Sequence, residues 1–146
     1  MYRSLFRMAK LIYEVIVEAG KKRSKAEKVE CLKQNESWAL KDILRGTYDD
    51  AVQWLVPAGA PPYTPNKEES TPSNLIRQNT QFRYLVDSSD ARNVLKAKRE
   101  NIYIRLLESI HPLDAEIVIN MVSKKSIKGI SKSVVQEAYP GLIQKG

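Results

Sequence analysis

The sequence predicts an all-α fold, a compact bundle of seven to eight short helices with a proline-rich extended connection. Three observations predict it. Apolar residues recur at three- and four-residue steps, the spacing of one helical face. No segment sustains period-two alternation, and no repeat of about 20–50 residues is visible. Pro57, Pro61, Pro62, Pro65 and Pro72 crowd one stretch, removing amide donors and biasing their predecessors away from helix.

The elements follow in order. Leu5, Met8, Ile12, Ile16 and Ala19 form an apolar stripe, widened by Phe6, Tyr13 and Val17, that predicts a first core helix stopped at Gly20. Ser24 and Glu27 have the spacing of a capping box, opening a helix that ends near Gln34 and Asn35. Ser37 caps a third helix through Trp38, Leu40, Ile43 and Leu44, which Gly46 should stop. A fourth helix is expected to open at Thr47 to Asp50 and to carry Ala51, Trp54 and Leu55. Residues 56–72 are the extended connection between two helical halves of one domain, 1–146; composition does not choose between a tether and a strap across a surface. Helical spacing resumes from Ser73 to Val86. Ser88 to Asp90 should start a longer helix running to Ile110, and Pro112 is suited to the first position of the next. Lys124 to Gly129 reads as a basic turn, Ser131 as the cap of a last short helix, and Pro140-Gly141 as its end.

At 146 residues such a chain can bury a real core. One cysteine, Cys31, excludes an intrachain disulfide, and with one histidine, His111, it leaves too few ligands for a structural zinc site. Cys31 lies in an apolar helical pattern and His111 stands before Pro112, so core and capping roles suit them better than catalysis. Trp38 and Trp54 read as core. Asp49 and Asp50 suit a helix first turn better than a magnesium site. No metal, no cofactor and no membrane span is expected, and the lone thiol points to a reducing cytoplasm.

Charge carries the functional expectation. Lys plus Arg number 24 against 17 Asp plus Glu, a net +7. Two acid-free clusters stand out: Lys124, Lys125, Lys128 and Lys132, and Lys21, Lys22, Arg23 and Lys25. Both fall at turns or helix starts, where backbone amides also favour anions. Neighbouring Ser123, Ser126, Ser131 and Ser133 add hydroxyl donors suited to phosphate. These eight basic residues are the candidate DNA contacts. Lysine dominates, which favours positioning on a backbone over reading bases.

The run from Arg23 to Asn35 followed by Leu40 to Leu55, with Leu32, Thr47, Tyr48 and Trp54 as key positions, resembles the N-terminal helical DNA-binding domain of T-even-type ATP-dependent DNA ligases. The run from Ile130 to Ile143 resembles the close of that domain. The chain also resembles a family of small uncharacterised proteins of T-even-like tailed phages and cyanophages, through Gly46 to Asp49, Trp54 to Pro57, Pro61 to Tyr63, Leu107 to Pro112 and Tyr139 to Ile143. The ligase likeness implies a domain that grips duplex phosphates. It implies no ligase chemistry, because no Lys-x-Asp-Gly motif is present and Lys125 to Gly129 has no aspartate before its glycine. The expectation is therefore a non-catalytic, phage-encoded protein of the host cytoplasm or virion. It would bind double-stranded DNA, nicked or intact, with little sequence specificity, in replication, repair or packaging. The alternative is a virion-associated or host-enzyme-binding interaction module whose partner is a phage or host protein.

Overall fold

The computed structural model describes residues 10–67 and 73–143. Among these described residues, eight α-helices and one 3-10 helix make up an all-α fold: α1 Ile12–Lys21, α2 Lys25–Gln34, α3 Trp38–Tyr48, α4 Leu75–Gln78, the 3-10 helix Asn79–Tyr84, α5 Ser89–Arg92, α6 Lys96–Ser109, α7 Pro112–Val122 and α8 Lys132–Ala138. Leu5, Phe6, Met8 and Pro72 lie outside the described residues. One core runs through the bundle, where α1 packs on α2, α2 on α8, α3 on α7, and α6 on α7. Leu32, Leu40, Ile43, Leu44, Leu107 and Val118 are at its centre.

Helix starts follow local capping chemistry. The Ser24 hydroxyl accepts from the Glu27 amide and the Glu27 carboxylate accepts from the Ser24 amide, each at 3.1 Å. The side chains of Ser37, Asn74, Ser88 and Ser131 cap α3, α4, α5 and α8, each accepting from the amide three residues on. His111 caps α7, its Nδ1 accepting from the Leu113 amide at 3.0 Å, with Pro112 at the first helical position.

Several expectations fail. Gly46 does not stop α3, which continues to Tyr48. Its missing side chain is instead required by packing, since a Cβ there would sit 2.6 Å from the Trp54 ring and 2.7 Å from Met121 Sδ. The fourth helix does not form. Asp49 is the C-cap of α3, and its carboxylate accepts from the Ala51 amide at 2.9 Å rather than opening a helix. Residues 53–55 pair instead with 85–87, through Leu55 N–H to Leu85 O, Asp87 N–H to Gln53 O and a bridge between Trp54 and Val86. The helix expected from Ser88 to Ile110 breaks between Arg92 and Lys96. Arg99 Nη2 donates to the carbonyls of Ala91 and Val94 at 3.0 and 3.1 Å, satisfying backbone groups freed at the break.

Trp54 is half-buried, edge-on to Phe82, with its Nε1 donating to Gly46 O at 3.0 Å. Trp38 is not core. It is 74% exposed at the first position of α3, with the Lys41 ammonium 4.9 Å from its ring centre, while Leu40, Ile43 and Leu44 face inward. Leu55 is likewise exposed. Cys31 is buried, and burial followed by the nearby Glu18 carboxylate pushes its thiol up. Residues 57–67 form a strap. Gly59 N–H donates to Ser123 Oγ, Thr64 N–H to Glu108 Oε2 and Asn66 Nδ2 to Glu108 O, so the strap lies across α6 and the end of α7.

Candidate nucleic-acid interface

The two lysine-rich turns are separated by about a hundred residues and meet in space. Between α1 and α2 the chain passes Lys22 and Arg23, and between α7 and α8 it passes Lys124 to Gly129. Their contact is made by two glycines. A Cβ on Gly20 would lie 2.8 Å from the Lys128 carbonyl, and one on Gly129 would lie 2.7 Å from Gly20 Cα. Gly20 is therefore not the stop of α1, which ends at Lys21 with Lys22 as C-cap; it is the point of close approach. Gly129 adopts φ +82°, a conformation other residues rarely take.

Lys28 locks this junction. Its Nζ donates to Gly20 O at 2.9 Å and to Gly129 O at 2.5 Å, joining the two turns. Sequence reasoning passes over Lys28 because Glu27 and Glu30 flank it; its place one turn after the Ser24 cap is the available signal. Tyr48 supports the junction from below. Its hydroxyl donates to Ile130 O and accepts from the Ile127 amide at 2.8 Å, so the second half of the basic turn is tied to α3. Tyr48→Phe leaves that carbonyl and amide unpaired, with an expected cost of about 2 kcal/mol. Urea denaturation checks the stability loss, and amide exchange at Ile127 checks that the turn loosens.

The basic residues divide by location. Lys21, Lys125 and Lys128 line a depression on one side of the 124–129 turn. Lys25, Lys28 and Lys132 line a second depression, which shares Ser126 and Ile127 with the first. Lys25 Nζ also donates to Ser133 Oγ at 2.6 Å and stands 3.5 Å from Glu137, which offsets part of its charge. Lys22 and Arg23 are exposed at the α1–α2 turn and line neither depression. Lys124 is used differently. It sits at φ +57°, its Nζ donates to Asp49 O at 2.8 Å, and burial lowers its pKa against the opposing pull of Asp49 and Asp50. Its side chain supports the α3 C-terminus.

At the opposite end of α1, Asp114 is 1% exposed. Its Oδ1 accepts from the Tyr13 amide at 2.8 Å, while Oδ2 has no partner among the described residues. Burial raises its pKa to about 6, against the lowering effects of the Tyr13 amide and His111. His111 stacks on the Tyr13 ring with centroids 4.7 Å apart. The histidine is thus held by a capping bond and a ring stack.

Among the described residues no group of three or more His, Cys, Asp or Glu side chains is placed to hold a metal ion, and no helix is long and apolar enough to cross a membrane. A model for a family of unknown function (DUF6433) matches residues 15–128, from the first helix to the basic turn. No curated protein matches the chain.

Proposed function

The chain belongs to that DUF6433 family of unknown function, and from its own geometry we propose that it grips the phosphate backbone of double-stranded DNA, nicked or intact, with little sequence preference and no turnover of its own. The observation that carries this reading is the Lys28 clamp, which brings two acid-free turns onto one surface. Lys21, Lys25, Lys125, Lys128 and Lys132 then line two depressions that share Ser126 and Ile127. Lysines at turns suit phosphate positioning rather than base reading. On this reading the chain is phage-encoded and acts in the host cytoplasm on DNA during replication, repair or packaging.

A second reading, a virion-associated or host-enzyme-binding interaction module, is favoured by Trp38 and Leu95, exposed by 74% and 77%. Exposed tryptophans in particular anchor protein interfaces. The strap supports it less, because its polar groups are already engaged with Ser123 and Glu108.

Fluorescence anisotropy with a labelled nicked duplex and a random single strand, at about 50 and 200 mM salt, separates the two. Five phosphate contacts correspond to a log–log salt slope of about −4.5, so duplex affinity should fall roughly 500-fold across that range. Absence of duplex binding at the lower salt would overturn the nucleic-acid reading. Salt-insensitive co-purification with one protein, lost in Trp38→Ala, would establish the second.

A further inference from the structure

The depression beside Lys21, Lys125 and Lys128 is more than a basic surface. It is a cavity of about 470 Å³, within the roughly 300–1,000 Å³ typical of small-molecule pockets. Its floor is apolar, made by Ile16, Ile43, Ile117 and Met121 from three different helices. No carboxylate and no aromatic ring lines it. The polar group on the Thr47 side is satisfied internally, its hydroxyl donating to Ile43 O at 2.8 Å. The three lysine ammonium groups at the mouth have no ion-pair partner among the described residues.

We propose that this cavity binds a small aliphatic monocarboxylate, the chain lying on the isoleucine and methionine floor and the carboxylate held among Lys21, Lys125 and Lys128. Branched and thioether side chains without a ring offer an aliphatic tail a conforming surface and give an aromatic ligand nothing to stack on. The unpaired ammonium groups select an anion over a neutral head group. The site is separate from the nucleic-acid reading in its test, since no nucleic acid is present.

Decanoate is the probe, titrated into the full chain and followed by calorimetry and amide chemical shifts. The expected result is saturable binding with shifts concentrated at Thr47, Asn120 and Ile127. Decanol, with a similar chain and no charge, should bind roughly tenfold more weakly, and acetate, with the charge and no chain, weaker still. Val17→Trp, an exposed position on α1 that also lines the cavity, should abolish decanoate binding while leaving thermal melting unchanged. Failure of decanoate to bind, equal binding of decanol, or shifts located elsewhere would each overturn the proposal. The ligand series needs no variant, so a poorly folding substitution does not remove the test.

Discussion

Gly129→Ala is expected to destabilise the protein by roughly 3 kcal/mol, and to weaken any ligand that needs both basic turns. Two effects combine. At φ +82° a side chain is strained in itself, and the new Cβ would press on the Gly20 backbone rather than on a flexible side chain. Neither backbone can yield without lengthening the Lys28 bonds to the Gly20 and Gly129 carbonyls. Gly141, at φ +87° with nothing within 4 Å of its Cβ position, is the matched control, since it carries the conformational cost alone. Urea denaturation of Gly129→Ala and Gly141→Ala, read as the difference between them, isolates the cost of separating the turns.

Asp114 should make stability fall as pH rises from about 4 to 6. Its folded pKa, about 6, lies above the ordinary carboxylate value of 3.8. The folded state therefore holds the proton more tightly, and its contribution is fully present below pH 4 and lost as pH rises through 6. The magnitude is on the order of 2–3 kcal/mol. Asp114→Asn keeps an acceptor for the Tyr13 amide without the buried charge, so the pH-dependent part of this loss should vanish. Asp114→Ala removes the acceptor as well and should be destabilised at every pH, freeing the start of α1. Denaturation midpoints of the three proteins at pH 4, 5 and 7 check both claims; parallel profiles for wild type and Asp114→Asn would contradict the first.

What was legible in the sequence is what local chemistry decides. Ser24, Ser37, Ser88, Ser131 and Pro112 mark helix starts because a cap concerns only the few amides beside it. The two basic turns were likewise visible as acid-free runs. Their meeting was not, because it depends on Gly20 and Gly129, which in sequence read as helix and turn punctuation. Gly46 misleads for the same reason: its role is set by Trp54 and Met121 pressing on it from other segments. Trp54 itself leaves its expected helix because a pairing partner at 85–87 is available only in the folded chain. Lys124 shows the limit of charge counting. Four lysines in one cluster look equivalent, and only the Asp49 carbonyl distinguishes the one already engaged.

That distinction gives the measurement bearing most directly on a shared phosphate-gripping face, the slope of log affinity against log salt for duplex DNA. Lys21→Gln with Lys25→Gln on one turn, and Lys125→Gln with Lys128→Gln on the other, should each reduce the slope by about 1.8. Lys124→Gln should leave it unchanged, although it costs stability. A slope that responds to only one turn, or to Lys124 as much as to its neighbours, would contradict a single face built by joining the two.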